Sequence, residues 1–216
     1  MKNLFVTILT VLTLLMPSCQ SKAQSDATTE TVPQNDGKNV VVETIMARRS
    51  IRKYHPQAVN RDTMNIVLKC GINAPSAMNV QDWEVRVVDN QEFLNGLTTI
   101  FKEKNKEMAE RDKEMRNMFR NAPTVAFIAA KKDSKFSSVD CALMAENMMI
   151  AAKSMGIGSV CMAGPVEFLK GPDCADYLNK LGFSDDYELL LTIGFGYPAE
   201  EPAAKPRDES KCKFVD

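Results

Sequence analysis

Histidine is nearly missing from this chain, with one residue in 216, and the scarcity narrows the available chemistry before any motif is read. His55 follows a tyrosine in a segment that reads as a loop and has no partner at metal-ligand spacing. Neither a zinc site nor a Cys-His nucleophile pair is therefore expected. None of the six cysteines stands in a C-x-x-C pair. Cys70 and Cys141 sit in apolar helical patterns and Cys161 ends an apolar stretch, which reads as buried, inert thiol rather than catalytic thiolate. A surplus of one charge is also lacking: 27 Lys plus Arg meet 28 Asp plus Glu. No overall field exists to gather nucleic acid or anionic lipid, so partners must be argued from local sites. Missing too is any G-x-G-x-x-G loop set in alternating strand and helix units, which excludes a dinucleotide domain of the Rossmann type. Aromatics are few, at 7%, but 44% of residues are hydrophobic, enough for one domain with a real core. The 13 methionines cluster in apolar helical stretches, where a flexible thioether fills irregular gaps.

No apolar run is long enough for a permanent membrane span. The longest opening run, Leu4 to Met16 behind Lys2, has instead the length of a signal-peptide core. It leads into Met16-Pro17-Ser18-Cys19, which resembles the lipobox of bacterial lipoproteins, whose cysteine is acylated at the mature N-terminus. Ser21-Lys22-Ala23 offers an alternative site for ordinary cleavage. The expected organisation is a signal peptide over 1–19 with lipidation at Cys19, a polar linker over 20–39 and one domain over 40–216. Such a protein is exported to the periplasmic face of a bacterial membrane and held there by a lipid anchor only, or is soluble in the periplasm if cleaved near Ala23. Lipidation of Cys19 leaves an odd five cysteines, so a complete disulfide framework is excluded.

Within the domain, Val42, Ile45 and Met46 space as one face of a short helix ending in Arg48, Arg49 and Arg52. Asn60 and Asp62 open a second helix that runs through Met64, Val67 and Leu68 and stops near Gly71 and Pro75. Val85, Val87 and Val88 alternate as a strand, Val125 to Ala130 is a continuous run suited to a strand covered on both faces, and Leu189 to Phe195 is a third. Phe93 to Arg120 reads as one helix whose charged part, Lys102 to Lys113, is a solvated face. Asp140 to Ser154 is apolar nearly all round and reads as a central buried helix, of the kind a dimer interface needs. The class is α+β, with a central sheet surrounded by helices.

Three separated stretches carry chemistry. Arg48, Arg49, Ser50 and Arg52 gather guanidinium forks and a hydroxyl that suit phosphate oxygens, although such runs are most often solvated charge. The segment Ala74-Pro75-Ser76-Ala77-Met78-Asn79-Val80-Gln81-Asp82-Trp83 joins a helix end to a strand and can offer backbone, Ser, Asn and Gln groups to the amide-like edge of a heterocycle. The bland alternative is a turn with Trp83 as a core anchor. Lys205 and Arg207 follow Gly196-Tyr197-Pro198 near the C-terminus, as a second cationic group or a plain charged tail.

The order R-R-S-x-R-K-Y, A-P-S-A-x-N-x-Q-x-W, G-I-G-S-V and G-Y-P-A-E-E-P-x-x-K-P-R resembles the nitroreductase family over nearly all of Val40 to Arg207. That resemblance implies a mostly antiparallel sheet among helices, built as an intertwined homodimer with two FMN molecules between the subunits. Arg48, Ser50 and Arg52 would hold the phosphate and ribityl chain, with Arg49 contributing mainly through its backbone and Lys205 and Arg207 completing the phosphate site. Pro75, Ser76 and Asn79 would approach the flavin from the other subunit, supported by Gln81. Met162, Ala163 and Gly164 would lie over the isoalloxazine, with an N–H near N5. Asp82 stands where the family usually has proline, and Met162-Ala163 replaces an aliphatic-glycine pair. The family contacts between Lys102 and Asn121 find no counterpart.

The resemblance implies a ping-pong cycle in which NADH or NADPH reduces the flavin and a nitroaromatic, quinone or similar small acceptor reoxidises it. Two rivals remain: a specialised flavin enzyme such as a reductive dehalogenase, and a flavin-binding electron-relay lipoprotein without turnover of its own. Export would put the domain away from the cytoplasmic nicotinamide pool, so another donor is in play.

Overall fold

A computed structural model describes residues 39–215. The expected signal peptide, Cys19, Ala23 and all but the last residue of the expected linker lie outside the described residues.

Four strands form one antiparallel sheet: β1 (Trp83–Val88), β2 (Thr124–Lys131), β3 (Gly158–Met162) and β4 (Tyr187–Gly196), in the order β1-β2-β4-β3. The central β2 is buried from Thr124 to Ala130, as its unbroken apolar run predicts. Ala126 and Ile128 face one core with Trp83, while Val125 and Phe127 face another. In the β2–β4 ladder Ile128 opposes Leu191 and Ala129 opposes Leu189, leaving Leu190 as an extra residue. This bulge reverses the pleat: Leu191, Ile193 and Phe195 fill the first core and Leu189 the second.

The first core is closed by α2 (Arg61–Ile72) and α5 (Ser137–Ser154). The Asn60 side chain caps α2 by accepting from the Asp62 amide at 2.8 Å. A side chain at Gly71 would place its Cβ 2.5 Å from Met148, so glycine is what lets α2 approach α5. The second core is closed by α3 (Gln91–Lys104), by α6 (Val166–Leu169) and α7 (Ala175–Leu181), and by the buried residues Met118 and Phe119. Two further helices, α1 (Val40–Ala47) and α4 (Lys106–Arg111), lie at the periphery.

Three expectations need correction, and one strand was missed. Phe93 to Arg120 is not one helix, because α3 stops at Lys104. Asn105 takes non-helical torsions and its side-chain amide donates to the Phe101 carbonyl. Farther on, the side-chain oxygen of Asn121 accepts from the Arg116 and Asn117 amides and holds a turn. Local asparagine hydrogen bonds thus outcompete helix propensity. β3 was not legible as a strand. The apolar face of α1 is exposed rather than packed: Val42 is 55%, Ile45 47% and Met46 72% accessible. On α5, Cys141, Met144, Ala145, Met148 and Ala152 are buried, but Val139 and Leu143 face solvent, so the helix is half-buried within one protomer.

Candidate functional site

The segment from Ser50 to His55 runs as a strap across the ends of β3 and β4. Ser50 bridges Ser159, the Ile51 amide donates to the Ser159 carbonyl at 3.0 Å, and the His55 amide donates to the Tyr197 carbonyl at 3.0 Å. The Ala199 amide returns a bond to the Lys53 carbonyl at 2.9 Å. Such close threading requires bare backbone beneath it. A Cβ on Gly158 would sit 2.9 Å from Ile51, and one on Gly196 would sit 2.8 Å from the Tyr54 ring. The glycines of the G-I-G and G-Y-P stretches therefore admit the cationic segment to the sheet.

Charge and burial tighten the strap. The Glu200 carboxylate accepts from the Arg52 and Lys53 amides. Tyr54 is buried and its hydroxyl donates to the Ile51 carbonyl. Burial, followed by repulsion from Glu200, pushes that hydroxyl well above the ordinary tyrosine range, with Arg52 partly offsetting.

An open cleft of about 1040 Å³ lies beside the strap. Arg52 and Tyr54 stand on one side, Met162, Ala163 and Gly164 at the end of β3 on another, and Phe101, Met115 and Phe168 supply apolar surface. The Met162 carbonyl is fixed by the Thr192 hydroxyl at 3.1 Å, and the Ala163 carbonyl accepts from the Val166 amide at 3.0 Å. The amides of Ala163 and Gly164 donate to nothing among the described residues, and a Cβ on Gly164 would meet nothing within 4 Å. Here is exposed, fixed backbone with free donors facing open space.

A smaller cavity of about 440 Å³ adjoins it, lined by Arg48, Arg49, Lys153, Ser159 and Pro198, with Glu200 common to both. Arg48 pairs with Glu146 at 3.2 Å. Arg49 donates to the Met46 and Arg48 carbonyls at 2.7 and 2.8 Å, so its guanidinium is occupied within the chain. The Ser159 hydroxyl is buried beside Ser50 and has no hydrogen-bond partner among the described residues.

The remaining expected residues lie elsewhere in the protomer. Pro75, Asn79 and Gln81 are exposed and Ser76 half-buried on a loop that lines neither cavity. Met78, Asn79 and Gln81 all have positive φ, at 52°, 57° and 56°. Non-glycine residues pay about 1–2 kcal/mol each for that conformation. Lys205 and Arg207 are exposed on the C-terminal segment and line neither cavity, so a single chain does not bring them to Arg48, Ser50 and Arg52.

Other parts of the cleft escaped the sequence reading. Lys53, Tyr54, Glu200 and the turn carrying Arg116 and Asn117 border it. The Arg116 guanidinium donates to the Tyr54 carbonyl at 3.1 Å, which ties that turn to the strap. The run of asparagines between Asn105 and Asn121 was the available signal. Cys161, expected to be buried, reaches the surface at the cleft edge. Partial desolvation and the nearby Glu146 push its thiol above the usual value, with Arg48 offsetting in part, so it is a poor thiolate.

Known proteins share this fold. A nitroreductase with bound FMN from Bacteroides fragilis is 29% identical and superposes with a TM-score of 0.72 over 83% of this chain and 100% of that one. A nitroreductase from Desulfitobacterium hafniense, 23% identical, has the same fold at a TM-score of 0.72 over 83% of this chain and 100% of its own. The NADPH-flavin oxidoreductase of Vibrio harveyi is 27% identical over 175 residues, 78% of this chain and 70% of that protein. The pattern of the Nitroreductase family itself matches residues 45–197, well over half of the sequence. With its four-stranded antiparallel sheet enclosed by helices, the chain belongs to the Nitroreductase family and has the nitroreductase-like fold.

Proposed function

We propose that this chain is an FMN-dependent oxidoreductase working as a homodimer, taking electrons from NAD(P)H or another reduced donor and passing them to a small oxidised acceptor. One observation carries the reading: a cationic strap pinned to the sheet and a pair of uncommitted amides at Ala163 and Gly164 border a single cleft. A flavin phosphate needs cations and hydroxyls at one end, and its ring needs a flat, apolar surface with a few fixed donors along an edge. Arg52 in the cleft and, in the adjoining cavity, the unpartnered hydroxyl of Ser159 beside Ser50 suit the first requirement, and the Met162-Ala163-Gly164 backbone with Phe101 and Phe168 suits the second.

Bound FMN supplies two-electron hydride chemistry, so the chain has only to bind, orient and shield. Arg48 would leave Glu146 to share the phosphate with Arg52, and Lys205 and Arg207 would close over it as the C-terminal segment settles against a second copy. The exposed faces of α1 and α5, with Ile45, Met46, Val139 and Leu143, are the surface on which that copy docks. Pairing would carry Pro75, Ser76, Asn79 and Gln81 of one protomer toward the cleft of the other. Arg116, Met115 and Phe168 would then shape the acceptor space and exclude water. Export as a lipoprotein through Cys19 is part of the same reading, and it leaves the donor in that compartment open between NAD(P)H and another reductant.

Purified protein is expected to be yellow, with one FMN per chain. Anaerobic addition of NADPH or NADH should bleach the flavin, and a nitroaromatic, quinone or halogenated phenol should restore the colour with parallel-line kinetics. Protein that takes up no FMN on titration would sink the reading. Flavin that binds but accepts no electrons from either nucleotide would favour the electron-relay alternative.

A further inference from the structure

Asp140 lies in the first turn of α5 and is only 4% exposed. A buried carboxylate is costly unless its oxygens are satisfied, and the positive end of an 18-residue helix offsets only part of that cost. Among the described residues its side chain has one partner, an amide distant in sequence: both carboxylate oxygens accept from Ala77 N–H, each at 3.2 Å. Ala77 follows the extended Ser76 and opens the turn that carries Met78, Asn79 and Gln81 in left-handed torsions.

This loop otherwise holds itself. Asn79 N–H donates to the Ser76 carbonyl, Val80 N–H to the Ala77 carbonyl, and Gln81 N–H to the Ser76 hydroxyl. Met78 is 90% exposed and contributes no anchorage. Among the described residues, Asp140 is the only side chain from outside residues 75–81 that hydrogen-bonds to them. Three left-handed residues in a row of four would relax if the loop were free, so the one external side-chain tether weighs on the population of this shape.

We propose that Asp140 is a positioning residue: its carboxylate grips the Ala77 amide and presets the loop that offers Pro75, Ser76 and Asn79 to the flavin. The inference rests on the FMN reading above and adds a residue to it. Asp140 touches no cofactor and acts through Ala77. Presetting the loop before the ligand arrives removes an ordering cost from binding, so its loss appears as weaker flavin affinity.

The experiment titrates FMN into the full-length protein stripped of flavin, comparing wild type with Asp140→Ala, Asp140→Asn and Ala77→Pro. Fluorescence quenching gives affinity, the visible absorption spectrum reports the flavin environment, and thermal unfolding controls for stability. Asn keeps an acceptor for the Ala77 amide, whereas Ala removes it. Proline removes the donor at a position that tolerates proline, the first of a turn after an extended residue.

Asp140→Ala and Ala77→Pro are each expected to weaken FMN binding by about tenfold, the effect of losing one hydrogen bond, with the bound spectrum moving toward free flavin. Asp140→Asn should stay within about twofold of wild type. Should Asp140→Ala not fold, Ala77→Pro, at a half-buried position where the turn begins, carries the test. Equal FMN affinity in wild type, Asp140→Ala and Ala77→Pro overturns the inference and leaves the FMN reading intact. So does an Asp140→Asn variant as weak as Asp140→Ala, since charge rather than tethering would then be at work. Wild-type protein that binds no FMN overturns the FMN reading and this inference with it.

Discussion

The strap from Ser50 to His55 and the loop from Pro75 to Gln81 are connectors of similar length, yet one protomer finishes the first and leaves the second open. The strap has its backbone paired with β3 and β4, a carboxylate on two of its amides and two buried side chains, Ile51 and Tyr54. The loop has three strained residues, one external side-chain tether and a methionine in solvent. The apolar face of α1 shares that incompleteness. Strain and exposure that a protomer does not repay are the features expected of a surface that a ligand or a second copy completes.

Substitutions can test that contrast. The largest effect on the protomer is expected from the centre of the sheet: Phe127→Ala empties a fully buried site on β2 packed by Phe93 of α3 and by Phe119, and should cost about 3–5 kcal/mol in denaturant unfolding. Tyr54→Phe removes the hydroxyl that donates to the Ile51 carbonyl, for about 1–2 kcal/mol, and should weaken FMN binding because the strap loosens. An unchanged unfolding midpoint would show that Gly158, Gly196 and Glu200 hold the strap without it. A double change of Ile45→Asp and Met46→Asp should move protomer stability by no more than about 0.5 kcal/mol, because neither side chain is buried, yet light scattering should report monomers. A dimer that survives would remove α1 from the interface.

The smallest effect is electrostatic. The hydrogen bond from Arg61, at 2.7 and 2.8 Å, holds Asp89 below its usual carboxylate value, and burial opposes it weakly. A carboxylate lowered in the folded state adds stability at pH above the unfolded value of 3.8, and that stability fades as pH falls through the lower folded value. Asp89→Asn should therefore flatten the acid side of the stability curve slightly, since Arg61 is 82% exposed and solvent screens the pair. A change of similar size at neutral pH and at pH 3 would contradict this assignment.

Elements whose pattern fits one period were legible: the unbroken run of β2, the alternation of β1 and the Asn60 cap of α2 all appear where periodicity places them. β3 was not, because Gly158-Ser159-Val160-Cys161-Met162 is short, starts at glycine and lacks alternation. The break after Lys104 was hidden because the run of Lys, Glu and Arg is helix-favouring, while the asparagine side chains that end the helix act through specific hydrogen bonds. Cys161 looked like core because it ends an apolar stretch, but the pleat turns it outward. In the candidate site, the cationic motif was readable from residue chemistry. Which guanidinium faces the cleft was not, since Arg48, Arg49 and Arg52 differ only in the partners folding supplies.

From the residues alone came the α+β class, the absence of a Rossmann loop, the three chemical stretches as candidate binding groups, and the family to which the domain belongs. Composition and period suffice for these because they depend on neighbours along the chain. Only the folded structure decided that Gly158 and Gly196 admit the strap, that Glu200 locks it, that Asp140 reaches Ala77, and that Lys205 and Arg207 stand apart from Arg52 within one protomer. Those facts depend on distances between residues far apart in sequence, and hydrogen bonds and close packing act only over such distances once the sheet has brought the segments together.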